Sequence, residues 1–221
     1  MQISSICENK DGRNLPSLVL IARWPAAGRC KIRLAKEIGI IKASTIQKRL
    51  NEHTAKVAKL LEGKGLVDAR IAFTGIAYKN AKRWAIQKDI KEVCLQGKGN
   101  LGLRMRRQVL LSQRINMPSN NQGRTTILIG TDLPSISEID IINALNKLKT
   151  NEMVIGPAID GGYWLIGFSG LLVNPVARWP FCGIPWGSNQ VLKRTIEQAK
   201  NKKIKYDLLQ MKNDLDKVND L

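Results

Sequence analysis

A chain of 221 residues, 43% hydrophobic and 24% charged, can bury one substantial core. Its 36 lysines and arginines against 18 acidic residues give a formal charge of +18, which suits anionic partners such as nucleic acid, a membrane surface or a phosphorylated substrate, or reflects a general bias with no specific partner. The four cysteines (Cys7, Cys30, Cys94, Cys182) are scattered and His53 is the single histidine, which argues against a zinc site of ordinary spacing.

Reduced thiols in a cytoplasmic protein are the expectation. No apolar run reaches the ~18 residues that a membrane span needs. Residues 1–16 read as a loose polar leader without the apolar segment of a secretory signal, followed by one domain over 17–221.

The run LVLIAR at 18–23 is continuous and apolar, as a buried parallel strand should be. A loop with Pro25 and Gly28 follows, and a helix is predicted to begin near Ile32. Residues 43–62 place Ile46, Leu50, Val57, Leu60 and Leu61 at largely helical spacing, ending at Gly63. VDARIAFTG at 67–75 predicts a second strand. A helix over 78–88 carries Trp84 outward or into a groove, and KEVCLQ at 91–96 forms a third strand. Residues 100–115 form a basic helix with Leu101, Met105, Val109 and Leu111 as apolar positions. MPSNNQGR at 117–124 is a polar loop.

TTILIG at 125–130 is the clearest strand. Beyond Asp132 and Pro134, Ser137 has the character of an N-cap, with Asp140 three residues on. Ile141, Ile142, Leu145 and Leu148 supply the buried face of the helix that follows. EMVIGPA and GYWLIGF make two strands around a turn at Asp160, Gly161 and Gly162. A helix near 188–200 and a strand near 204–210 complete the order. Strands alternating with helices predict a mostly parallel sheet covered on both faces.

In such sheets ligands bind beyond the carboxyl ends of the strands, and two loops stand there. In ARWPAAGRCKIRLAKEIG, Gly28 permits close backbone approach. If the stretch is extended, Arg29, Lys31 and Arg33 point to one side and could converge on a polyphosphate; a solvated basic loop is the alternative. The pattern is not GxxxxGK[ST], so a Walker loop is excluded. In GTDLP at 130–134, Thr131 and Asp132 end a buried strand. A carboxylate there is costly unless a cation meets it, and Mg2+ (or Mn2+) would do so. Asp214, Asp216 and Asp220 form a third acidic group, one of which could complete that metal site or all of which could belong to a solvated tail. Asp160, between a strand and two glycines, could bind an acceptor or a metal, or serve as a turn residue.

The segments PAAGRCKIRL, QGKGNLGLRM, GTDLP, GPAIDGGYWLIG, FCGIPWGS and DLDKVNDL, in this order from about residue 18 to the end, resemble the DUF2064 family. That family is also called radical-SAM/selenodomain-associated transferase 1, is commonly labelled glycosyltransferase, and is related to the molybdenum-cofactor and phospholactate guanylyltransferases. The resemblance implies a GT-A fold, that of the nucleotide-diphospho-sugar transferases, a Rossmann-like three-layer sandwich with one antiparallel strand. It implies phosphate binding by Gly28, Arg29, Lys31 and Arg33, and catalytic roles for Asp132 and Lys31. Asp132 and Asp216 become the metal ligands, Gln96, Gly102, Arg104 and Thr131 line the nucleotide side, and Asp160, Gly161, Gly162, Tyr163 and Trp186 face the acceptor. Three positions depart from the family's usual residues. Ile32 replaces threonine, Asn100 replaces aspartate, and Ser188 replaces threonine.

Two reactions fit. In nucleotidyl transfer, an acceptor phosphate attacks the α-phosphorus of a nucleoside triphosphate and pyrophosphate leaves. In glycosyl transfer, an acceptor attacks the sugar carbon of a nucleotide sugar. The single acid of GTDLP, without a DxD pair, and the cationic loop favour the first. The chain offers no nucleophilic triad. A nucleic-acid binder, using Arg104, Arg106 and Arg107 on one helix and the Lys-rich stretch 193–205, is the alternative from another class, and an inactive homologue is a third.

Overall fold

A computed structural model describes residues 15–114, 123–170 and 181–220. Cys7, Trp179, nearly all of the leader and most of the 117–124 loop lie outside them.

The strands are β1 (Ser17–Arg23), β2 (Asp68–Thr74), β3 (Glu92–Leu95), β4 (Thr126–Gly130), β5 (Met153–Pro157), β6 (Tyr163–Phe168) and β7 (Tyr206–Leu208). The helices are α1 (Ile32–Ile38), α2 (Ile40–Gly63), α3 (Tyr78–Gln87), α4 (Leu101–Arg114), α5 (Glu138–Lys147) and α6 (Val191–Asn201). They build one sheet in the order β3-β2-β1-β4-β6-β5-β7. Strand β6 runs antiparallel to both of its neighbours, and the other pairings are parallel. This is the mostly parallel, doubly covered sheet that the alternating pattern predicts.

The two faces follow from the two-residue period of a strand. Leu18, Leu20 and Ala22 of β1 join Ile71, Phe73, Ile127 and Ile129 beneath α2, α3 and α5. Val19 points the other way, with Ala72, Leu128, Ile155 and Phe168, beneath α4 and α6. Because β1 is buried on both faces, its sequence is a continuous apolar run. A third, smaller cluster joins Leu34 of α1 and Leu50 of α2 to Leu215, tying the C-terminal segment to the loop after β1.

Several helix expectations need adjustment. Helix α2 starts at Ile40. Leu60 is exposed there, as is Leu111 on α4, because each falls off its helix's core-facing stripe. Trp84 is buried, its ring at 88° to Phe73 with centroids 5.1 Å apart, so it is chiefly a packing residue. The expected start of α5 is present, with the Asp140 carboxylate accepting the Ser137 backbone N–H at 2.8 Å.

Candidate active site

Strand order turns back between β1 and β4. Chain leaving β1 leads outward to β2 and β3, whereas β4 begins the other half of the sheet. Loops leaving the carboxyl ends of these two strands diverge and open a crevice at the switch point. The antiparallel β6 begins at this same edge, so the turn before it joins the rim. The resulting cleft has a volume of about 590 Å3. Its lining includes the cations Arg23, Arg33 and Arg104, the acids Asp132, Asp160, Asp214 and Asp216, and Gln96 and the Trp186–Asn189 segment.

Lys31 is the centre of this arrangement. It sits in left-handed backbone (φ 47°, ψ 48°) immediately before α1, and its side chain is only 3% exposed. The ammonium donates to the Leu215 carbonyl at 2.6 Å. It lies 2.6 Å from Asp132 Oδ1 and 3.8 Å from Asp216 Oδ1. One buried positive charge therefore bridges two loops that are far apart in sequence. The backbone agrees, with the Leu215 N–H donating to the Asp132 carbonyl at 3.0 Å. Arg33, the second residue of α1, reaches Asp216 Oδ2 at 3.2 Å from the solvent side.

The local backbone corrects the expected convergence of three cations. The chain turns at Ala26–Arg29 and becomes helical at Ile32, so the side chains do not alternate as they would in an extended stretch. Lys31 and Arg33 reach the acidic loops, but Arg29 is exposed and faces a different groove. Gly28 supplies the positive φ (73°) of this turn, which an L side chain rarely adopts. Thr131 is also turned away from the cleft. It is buried and donates to Asn51 Oδ1 at 2.7 Å, within the core under α2.

Gln96, which also lines the cleft, is fully committed. Its Nε2 donates to the Ala22 and Ala72 carbonyls, both at 2.9 Å, and its Oε1 accepts from Arg104 at 3.3 Å. Gln96 thus joins β1 to β2 and orients Arg104 into the cleft. Burial, followed by the neighbouring charges of Arg23 and Arg107, lowers the Arg104 pKa from its ordinary value. Gly102 makes room, since a Cβ there would lie 2.8 Å from the Trp186 ring. Trp186 packs edge-on against Tyr163 with centroids 6.5 Å apart, and both line the cleft as expected of acceptor-side residues. Asp160 is exposed, accepts the Gly162 N–H at 2.8 Å, and faces the cleft.

The departures from the family pattern have structural roles. Asn100 Oδ1 accepts the Leu103 N–H at 3.0 Å, so it caps α4 as an aspartate would. Ser188 donates to the Pro185 carbonyl at 2.9 Å and accepts the Gln190 N–H at 3.2 Å. Ile32 opens α1 with its side chain half in solvent.

The three C-terminal acids separate into distinct parts. Asp220 is a backbone clamp, accepting the N–H groups of Asp216 and Lys217 at 2.9 and 2.8 Å. Asp216 faces Lys31 and Arg33. Asp214, which the family resemblance leaves out of the ligand set, lines the cleft with its Oδ1 buried and without a hydrogen-bond partner. Burial, then the charges of Asp132 and Asp160, raise its carboxyl from 3.8 to about 7, with Lys31 pulling it back. A native carboxyl raised in this way keeps a proton that the unfolded chain releases, so this group costs stability as pH rises from about 4 to 7, at roughly 1.4 kcal/mol per pH unit. Asp214→Asn is therefore expected to raise the melting temperature at pH 8 and leave it nearly unchanged at pH 4. An equal shift at both pH values would contradict this assignment.

Two charged lining residues are poorly marked in the sequence. Asp214 looks like Asp216 and Asp220, and Arg23 carries one signal, a cation at the very end of an apolar strand. Its guanidinium donates to the Arg29 carbonyl at 3.3 Å and edges the cleft.

The sheet order, with one antiparallel strand and a cleft at the switch point, defines the nucleotide-diphospho-sugar transferase (GT-A) fold. Over residues 57–188, more than half of its length, the sequence matches the family described as an uncharacterized protein conserved in bacteria, DUF2064, and the chain belongs to that family. A candidate nucleotide-diphospho-sugar transferase from Desulfovibrio desulfuricans G20 superposes with a TM-score of 0.80 at 24% identity, covering 92% of this chain and 83% of that one. The 4-diphosphocytidyl-2C-methyl-D-erythritol synthase of Anaerococcus prevotii DSM 20548 superposes with a TM-score of 0.58 at 12% identity, covering 95% of each chain. What these structures share with the chain is the fold. Curated proteins give no significant sequence match. Among the described residues, no helix is long and apolar enough to cross a membrane.

Proposed function

We propose that residues 17–221 form one transferase unit that moves a nucleotidyl group from a nucleoside triphosphate to a small phosphorylated acceptor. The observation that carries this reading is the Lys31 ammonium, held between Asp132 and Asp216 at the switch point of the sheet. The names of the synthases sharing this fold agree with it.

The residues fit a hard divalent cation such as Mg2+ or Mn2+. The candidate donors are carboxylate oxygens, Asp132 Oδ1 makes no directed hydrogen bond, and Asp214 Oδ1 is buried without any. Asp132 and Asp216 would hold the ion. Among the described residues no three acidic, histidine or cysteine side chains cluster tightly enough to cage a metal unaided. That suits an ion sharing its coordination with substrate phosphates. Such an ion would offset charge on the phosphate oxygens.

The chain's own groups do the rest. Arg33 and Arg104, which both line the cleft, orient the triphosphate. Lys31 neutralises charge accumulating between the two carboxylate loops. The acceptor's phosphate oxygen attacks the α-phosphorus, the bond to the bridging oxygen breaks, and pyrophosphate leaves with that electron pair. Tyr163, Trp186 and the Asp160–Gly162 turn form the wall against which the acceptor lies. The second reading, transfer of a sugar from a nucleotide sugar, is favoured by the description of the Desulfovibrio protein.

The test is a thermal-shift panel of nucleoside triphosphates and nucleotide sugars, with and without Mg2+ or Mn2+. A metal-dependent shift with one triphosphate supports nucleotidyl transfer, a shift confined to a nucleotide sugar supports the second reading, and a flat panel refutes both. Asp132→Ala is expected to abolish the metal-dependent shift while the ligand-free melting temperature moves by only a few degrees. Persistence of the shift would remove Asp132 from the metal site.

A further inference from the structure

Some surface cations in this protein are paired, as Lys59 is with Asp89 at 2.6 Å and Lys147 with Asp207 at 2.5 Å. One groove gathers several that are not. It adjoins the catalytic cleft where the Trp24 N–H donates to the Thr74 carbonyl at 2.9 Å, Trp24 lining the groove and Thr74 the cleft. Its volume is about 790 Å3, and Arg29, Lys48, Arg83 and Lys88 line it; no acidic residue among those described belongs to its wall, and of the four cations only Lys88 is paired, with Glu52 at 2.7 Å. Among the described residues, the side chains of Arg29, Lys48 and Arg83 have no ion pair or hydrogen bond. These cations come from three places that only the fold joins: the loop after β1, the outer face of α2, and α3.

Two further features act in the same direction. The start of α3 faces this groove through Gly75, Ile76, Ala77 and Asn80. That helix has no side-chain cap and no acidic residue in its first turn, so its positive end is uncompensated. Trp24 and Ile76 supply an apolar wall. A concavity of this size can hold a small molecule, whereas a nucleic-acid strand needs an extended basic track. The opposite basic helix does not supply one, because Arg107 of α4 is turned inward to the Gln96 and Lys98 carbonyls and Arg104 to Gln96.

We propose that this groove is a second anion site, separate from the catalytic cleft, which binds a small ligand carrying two or more phosphate groups. Arg29, Lys48 and Arg83, unpaired and facing one concavity, recognise phosphate oxygens and have no internal carboxylate of their own to displace.

The test is calorimetric titration of the full chain with tripolyphosphate in the absence of divalent metal, alongside an unstructured oligodeoxythymidylate. Lys48→Glu/Arg83→Glu changes two exposed residues and is expected to retain the wild-type melting temperature while tripolyphosphate affinity falls about tenfold or more. Arg33→Ala/Arg104→Ala, which strips the cleft of two cations, is expected to leave this binding event in place. Affinity within twofold of wild type in the Lys48/Arg83 variant would overturn the proposal. So would loss of binding only in the Arg33/Arg104 variant, which would return the anion to the cleft. Binding of the oligonucleotide alone, sensitive to Lys48 and Arg83, would replace the small ligand with a nucleic-acid strand and equally overturn it.

Discussion

Lys31→Met is expected to lower folding stability by about 2–3 kcal/mol and to eliminate metal-dependent nucleotide binding. Methionine keeps most of the stem's volume but removes the charge. The Leu215 carbonyl, which accepts from the ammonium at 2.6 Å, then loses its partner in a buried setting. Asp132 and Asp216 lose the cation between them, although both are nearly half exposed, so solvent screens part of that loss. Asp214, whose carboxyl Lys31 holds down, should rise above about 7. The stability penalty is therefore expected to be larger at pH 8 than at pH 5, where more of the carboxylate charge is protonated away. Denaturant melts at the two pH values check this, with the ligand-binding titration run beside them. A stable variant that binds nucleotide normally would remove Lys31 from the centre of the site.

Gly161→Ala is the second substitution with a large expected effect, about 2–4 kcal/mol. Gly161 has φ 86°, where an alanine is strained. An added Cβ would stand 2.2 Å from the Asn189 carbonyl oxygen, and that neighbour is backbone, which cannot swing aside. The Gly161 carbonyl also accepts the Leu192 N–H at 2.8 Å, holding the start of α6 against this turn. The methyl group should push the Trp186–Asn189 segment away and open the acceptor wall, so acceptor KM should rise more than kcat falls. Gly183→Ala is the control, with φ 69° but open space around its Cβ. It should lose only the backbone strain, about 1–2 kcal/mol. Equal losses in the two variants would show that the contact with Asn189 is unimportant.

The strands and most helices were legible because burial writes itself into local sequence. A strand covered on both faces must be apolar at successive positions, and LVLIAR and TILIG are. Helix α5 announced itself by its cap and its spaced apolar residues. Loop positions at the carboxyl edge followed from the alternating order alone, so Lys31, Arg33 and Asp132 could be selected from the residues and their order, whereas Asp216 stood out from Asp214 and Asp220 only through the family resemblance. Leu60 and Leu111 show the limit, since an apolar residue on the wrong side of its helix looks the same in sequence as one facing the core.

Side-chain direction was a different matter. Arg29 and Lys31 stand two residues apart, and an extended chain would point them the same way. The turn at Ala26–Arg29 and the left-handed Lys31 backbone send one to the outer groove and bury the other. Thr131 adjoins Asp132 yet points into the core at Asn51. Asp214 and Asp220 look alike in NDLDKVNDL, but one is buried beside other carboxylates and the other clamps two backbone amides. The sequence by itself determined the element types, their order, and the chemical inventory delivered to one edge of the sheet, because those depend on local periodicity and chain order. Only the tertiary structure decided which charges meet. The field at a carboxylate is set by neighbours as distant in the chain as Arg33 is from Asp216, 183 residues, and no local pattern records them.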